Sequence, residues 1–258
     1  MDNTNNQRLL VTVCGRAGSK GFANKNLKTF CGRPLVYYTL SAAELFAREH
    51  PNVAVDIALN TDSELLAKLV AEKYPEVVYL PRGAALGGDT VPKMSVFQDS
   101  LSRMEQEKGR PYDFVMDLDI TSPLRTAADV ANAYAEKQGR PDLDLVFSVT
   151  EARRNPWFNM VKAAGDHVEK VIESDFTARQ QAPAVYDLNA SIYVFKRDFL
   201  AGNHTGILWD GKIGISTMMD TGILDIDSEA DYLLMEVIAE HLFEHYPEFA
   251  AVRANIRG

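Results

Sequence analysis

The chain has 258 residues, 46% hydrophobic and 24% charged, enough to bury a full core without disulfides or a structural metal. Its 27 basic and 36 acidic residues leave a net charge of −9, which excludes a general nucleic-acid binder with a broad basic face. Two cysteines without metal-ligand spacing read as buried thiols in a reducing cytoplasm, and no run of 18 apolar residues would span a membrane.

Met1 to Gln7 is a polar, Asn-rich lead-in without the basic start, apolar stretch and cleavage site of a secretion signal. Leu9–Cys14 predicts a buried strand ending in a Gly-rich loop, and Pro34–His50 a helix with apolar residues at helical spacing. A strand follows over Val53–Asn60, with Asp62 as a candidate N-cap for a helix over Ser63–Lys73. Val77–Leu80 is strand-like, Val91–Lys108 helical, Phe114–Leu118 strand, Ala127–Lys137 helical and Leu145–Thr150 strand. Over residues 151–187 charged, Pro- and Gln-containing stretches interrupt two hairpin-like runs, Phe158–Ala163 and Val168–Glu173. Asn189–Lys196 resumes as strand, and Glu229–His245 is a closing helix.

This alternation predicts one α/β domain over 1–258: a mostly parallel, twisted, Rossmann-like sheet with helices on both faces. The 151–187 segment reads as an inserted arm that packs on a second subunit. In such sheets ligands sit beyond the carboxyl ends of the strands, where the polar clusters of this chain fall.

The first cluster runs from Gly15 to Leu27 and holds three glycines with Arg16, Lys20 and Lys25. Glycines let backbone N–H groups approach an anion, and three cations suit a triphosphate and the charge that builds on leaving pyrophosphate. The loop is neither a Walker A loop nor a dinucleotide fingerprint. The stretch RAGSKGFANKNL resembles the R-x-x-S-K-G-x-x-x-K-N-L signature of the CMP-sialic acid synthetases and their bacterial relatives, and the resemblance continues in order through nearly the whole chain after Gln7.

The resemblance implies a nucleotidyltransferase fold and CTP-binding roles for Arg16, Ser19, Lys20, Lys25 and Asn26. It also brings Arg82 and Asp89 to the nucleotide, although Asp62 and the Asp89-Thr90 pair serve equally well as helix starts. Asp117-Leu118-Asp119-Ile120-Thr121-Ser122-Pro123-Leu124-Arg125 resembles the T-S-P-L-R element near the sugar acid, which assigns Asp119, Ser122 and Arg125 there. Many relatives carry glutamine where this chain has Asp119; an aspartate there either reaches a metal ion or repels the substrate carboxylate.

Asp225 and Asp227 are two residues apart, a spacing that points both carboxylates to one face of an extended segment. Two like charges side by side call for a cation, and Mg²⁺ binds through one or two carboxylates plus substrate phosphates. Asp227 also suits a cap for the helix opening at Ser228. The family's I-D-I-D element implies that both aspartates are Mg²⁺ ligands.

Arg179, Gln180, Gln181, Asn189 and Tyr193 match the family's sugar-binding segments. Arginine suits a carboxylate, and amides suit hydroxyl or acyl groups, while an ion pair of Arg179 with Asp175 is the plainer alternative. The stretch around Trp157 and Phe158 resembles the legionaminic-acid branch more than the animal enzymes, and these two aromatics serve equally well in a core or a dimer interface.

The resemblance implies transfer of CMP from CTP to a nine-carbon 2-keto-3-deoxy sugar acid by a cytoplasmic homodimer, and since no histidine sits in a general-base position, metal-assisted deprotonation is the expected route. The rival readings are an enzyme activating the eight-carbon acid Kdo, and a silent nucleotide-binding regulator that would lack Lys20, Asp225 or Asp227.

Overall fold

The computed structural model describes residues 7–18, 22–88, 91–223 and 225–258. Its first half alternates strand and helix: Gln7–Gly15 (β1), a hairpin of Thr29–Phe30 (β2) and Arg33–Pro34 (β3), Leu35–Glu49 (α1), Val53–Thr61 (β4), Glu64–Lys73 (α2), Val78–Pro81 (β5), Lys93–Lys108 (α3), Phe114–Leu118 (β6), Ala127–Gly139 (α4) and Leu145–Glu151 (β7). A small hairpin follows, Val161–Ala164 (β8) and His167–Lys170 (β9). The chain closes with Tyr186–Lys196 (β10), Arg197–Gly202 (α5), Ile213–Thr217 (β11), Glu229–His245 (α6) and Pro247–Asn255 (α7).

Seven strands form one sheet in the order β11-β7-β10-β6-β1-β4-β5. All neighbours run parallel except β10, which is antiparallel to both β6 and β7. Strand β1 pairs with β4 on one side and β6 on the other, so the chain leaves β1 in one direction and returns on its far side. That reversal opens a crevice beyond the carboxyl ends of β1 and β6.

Alternation along the central strands sends side chains to two cores. Leu9, Val11 and Val13 of β1 with Met116 and Leu118 of β6 pack under α1, α2, α4, α6 and α7. Leu10 and Val115 face the other way, with Met94, Phe97, Leu101 and Met104 of α3. Asp117 shares the phase of Val115, so the chain places a carboxylate against α3 at the crevice.

Several boundaries differ from the sequence expectation for definable reasons. The N-cap of α2 is Ser63, whose hydroxyl accepts from Leu66 N at 3.2 Å, and Asp62 instead accepts from Ala17 N at 2.6 Å. Helix α3 starts at Lys93 because Pro92 holds an extended backbone at its N-cap. The expected arm strands are shorter and turn about Gly165, whose φ of 69° suits glycine. Strand β11 and helix α7 were not expected: β11 is a five-residue strand with a glycine inside it, and Pro247, which reads as a stop, is the first residue of α7. The lead-in residues 1–6 lie outside the described residues.

Candidate active site

The crevice is a cleft of about 520 Å³ lined by residues from six places in the chain. Cys14 and Arg16 come from the end of β1 and its loop, Lys25 and Asn26 from a 3₁₀ turn, and Arg82, Leu86 and Gly88 from the segment after β5. Lys93 and Val96 come from α3, Asp119 and Thr121 from beyond β6, and Asp225 and Asp227 from the approach to α6.

Gly15 lets the end of β1 pack closely against Leu66 and Ile120. A Cβ there would lie 2.7 Å from Leu66 Cδ2 and 2.9 Å from Ile120 Cδ1, closer than packed carbons tolerate. The following loop is fixed by Ala17 N on Asp62 and by the buried Asn26 amide, whose Nδ2 donates to Arg16 O at 3.2 Å. Ser19, Lys20 and Asp89, expected at the nucleotide, lie outside the described residues.

Lys25 ties this loop to the acidic segment. Its ammonium donates to Ile226 O at 2.7 Å and pairs with Asp227 at 3.1 Å. Asp225 and Asp227 are not on a strand, as the spacing argument assumed, but on an irregular segment. Ile226 between them is fully buried, and its N–H donates to Thr121 O at 3.0 Å, so both carboxylates line the cleft. Burial pushes the Asp225 carboxyl up, and Asp227 and Asp119 add to the push. The helix cap is Ser228, in a reciprocal capping box with Asp231, which leaves the Asp227 carboxylate for the cleft.

A second charged group was not foreseen. Asp119 Oδ1 accepts from Thr121 N at 2.8 Å and Thr121 Oγ1 at 2.7 Å, while Oδ2 accepts from Lys93 Nζ at 2.7 Å. Lys93 also lies 3.2 Å from Asp117 Oδ2, an ion pair without hydrogen-bond alignment, and Thr12 Oγ1 donates to Asp117 Oδ1 at 2.8 Å. Burial raises Asp117 against the pull of Lys93; in Asp119 burial is outweighed by Lys93 and Thr121, which hold it well below the usual carboxylate range. The sequence offers only a partial signal: a lysine in the first turn of a helix sits at the unfavourable positive end of its dipole and calls for carboxylates beside it.

The other expected sugar residues are divided. Tyr193 is buried beneath Lys93, whose ammonium lies 5.5 Å from its ring centre. Ser122 and Asn189 are buried, and Asn189 accepts from Ser148 Oγ within a β10 irregularity that also puts Ala190 at φ 53°. Arg125, expected at the sugar acid, is fully buried instead. It donates to the carbonyls of Ser191 at 2.6 Å and Ser122 at 2.8 Å, to Asp119 O, and to Thr39 Oγ1 at 3.2 Å.

Arg179, Gln180 and Gln181 sit on the arm in a 3₁₀ turn, away from the residues that line the cleft. Arg179 donates to Ala152 O at 2.7 Å rather than pairing with Asp175, and Gln181 accepts from the backbone of Thr177 and Ala178. Arg82 lines the cleft but is held by Asn60, through Oδ1 and the carbonyl, both at 2.8 Å. Among the described residues no three acidic, histidine or cysteine side chains form a ready-made metal cluster, and no helix is long and apolar enough to cross a membrane.

A mostly parallel α/β sheet with a cationic first loop and carboxylates across a switch-point cleft defines a nucleotide-handling enzyme. The chain belongs to the cytidylyltransferase family, whose sequence model matches residues 10–201, and is thus a CTP-dependent nucleotidyltransferase. It is 36% identical over 89% of its length to the CMP-N,N'-diacetyllegionaminic acid synthase of Campylobacter jejuni, of which it covers 94%. It is 28% identical over 92% of its length to an N-acylneuraminate cytidylyltransferase of Streptococcus agalactiae, covering 54% of that protein. A CMP:2-keto-3-deoxy-manno-octonic acid synthetase solved with CTP shares the fold at TM-score 0.62 and 14% identity, over 92% of this chain and 100% of the other.

Proposed function

We propose that the protein transfers CMP from CTP to the anomeric hydroxyl of a nine-carbon 2-keto-3-deoxy sugar acid, of the legionaminic or N-acetylneuraminic type, and releases pyrophosphate. The observation that carries this reading is Lys25 bridging the first loop to the Ile226 carbonyl and Asp227, which sets phosphate-binding cations and carboxylates on one cleft.

The acceptor oxygen forms its bond to the α-phosphorus in line as the bond to the β-phosphate oxygen breaks. Arg16 and Lys25, with Ser19, Lys20 and Asn26 of the same loop, hold the triphosphate and offset charge on the departing pyrophosphate. Arg82 and Asp89 border the nucleotide, and Leu86, Val91 and Val96 give the cleft an apolar wall. Asp119, Ser122, Asn189 and Tyr193 form or support the sugar end; Arg179, Gln180 and Gln181 reach a sugar only from the arm.

The oxygen-only pair Asp225 and Asp227 suits Mg²⁺, which needs few protein ligands when phosphates supply the rest. Mg²⁺ held by Asp225 and Asp227 would supply charge neutralisation for the phosphates and acidity for the attacking hydroxyl. The arm exposes Val161 and Val168, 62% and 63% accessible, which supports a homodimer with the arm on the partner. Use of CTP supports a reaction in the cytoplasm.

The test is pyrophosphate release from CTP and Mg²⁺ with N-acetylneuraminic, legionaminic and pseudaminic acids and Kdo. Turnover with a nine-carbon acid, abolished by chelator and restored by Mg²⁺, is the expected result. Asp225→Asn lowers kcat by about 100-fold or more at an unchanged melting temperature, since it removes charge stabilisation and no core contact. Turnover with Kdo alone moves the substrate to the eight-carbon acid, and CTP binding without turnover leaves a regulator.

A further inference from the structure

We propose that Lys93 is a positioning residue for the sugar acid: it orients Asp119, through which the cleft reads a hydroxyl or amide N–H of the acceptor. This rests on the reading of the cleft as a sugar-acid site.

Asp117 and Asp119 are two residues apart at the end of β6 and turn to the same side, towards α3. Lys93 is the cation that joins them, at 3.2 Å and 2.7 Å. The three do not form a closed core cluster. Asp117 is fully buried, whereas 40% of the Lys93 side chain and 19% of the Asp119 side chain stay open to the cleft.

An ionised carboxylate has about four acceptor positions. Asp119 has three filled, by Thr121 N, Thr121 Oγ1 and Lys93 Nζ, which leaves one aimed by the other three. Thr121 fixes one oxygen through a local turn, and its backbone is tied in turn to Ile226 N. Lys93 fixes the other oxygen. Without the ammonium, Asp119 faces the Asp117 carboxylate with nothing between them, and like charges at that spacing turn apart. The rings of Phe97 and Tyr193, 5.6 and 5.5 Å from the ammonium, hold the lysine in place. Lys93 thereby gives Asp119 Oδ2 a cation partner from the protein itself, beside the one acceptor position left on that oxygen.

The test compares wild type, Lys93→Met, Lys93→Arg, Asp119→Asn and the double variant Lys93→Met/Asp119→Asn. Turnover is read against the sugar acid and CTP separately, CTP affinity is measured by calorimetry without acid, and all five are melted. Lys93→Met raises KM for the sugar acid about tenfold or more, the size of a lost charged hydrogen bond, with kcat and CTP affinity within about threefold of wild type. Lys93→Arg recovers most of the loss, and the double variant is no worse than the poorer single variant, as expected when one residue acts through the other.

Equal weakening of CTP would make Lys93 a nucleotide ligand and overturn the proposal, as would losses that multiply in the double variant or a fall in kcat alone. Should wild type turn over no sugar acid, the functional reading fails separately. The melting temperatures then still decide whether Lys93 and Asp119 are coupled: additive losses overturn the coupling, and non-additive losses keep it.

Discussion

Arg125 has no exposed surface, and its guanidinium gathers the carbonyls of Asp119, Ser122 and Ser191 with the Thr39 hydroxyl. Those bonds clamp the loop after β6 onto β10 and α1. Arg125→Ala strands several buried carbonyls at a cost of about 3 kcal/mol, a fall in melting temperature of roughly 10 °C. A purified variant that melts like wild type would show that the clamp is not structural. The T-S-P-L-R pattern made Arg125 visible but not its direction, because a sequence motif does not say on which side of a loop a residue stands. Lys93 was missed for the opposite reason: it belongs to no motif, and its partners are 24 and 26 residues along the chain. The spacing rule used for Asp225 and Asp227 holds better for Asp117 and Asp119, where a strand sets the alternation.

Among the elements, α6 has the clearest start. Ser228 and Asp231 bond reciprocally, and Asp231 Oδ2 also accepts from Asp227 N at 3.2 Å. The cap therefore anchors the segment that carries both cleft aspartates. Ser228→Ala costs about 1 kcal/mol and lowers the melting temperature by roughly 2–4 °C. It also raises the Mg²⁺ concentration needed for half-maximal turnover, because the Asp225–Asp227 segment loses its fixed end; an unchanged Mg²⁺ titration would separate cap from site. Apolar residues at helical spacing made α1 legible, and short apolar runs revealed β1, β4, β6 and β7. Strand β11 and helix α7 stayed hidden because neighbours make them: β11 pairs along β7, and Val252 O of α7 accepts from Ser41 Oγ of α1 at 2.6 Å. The reversed direction of β10 was equally beyond local pattern, since strand direction is decided by what the arm before it does.

At the scale of the molecule, the arm is where charge and burial part company with the sheet. Its apolar residues, among them Val161 and Val168, face outward on a hairpin with no described partner in this chain. A homodimer that covers them is the expected state by light scattering, and Val161→Lys with Val168→Lys shifts it towards monomer while the cleft still binds CTP. A monomeric wild type at assay concentration would contradict it.

The bond from Lys25 to Ile226 also orders events in time. The first loop leaves the ribosome some two hundred residues before its anchor is made. A nascent chain can lay down β1, β4, β5 and β6 in turn, yet its binding loop waits for Ile226. Chains abandoned by the ribosome before Ile226 therefore carry every strand of the sheet but a first loop without its anchor.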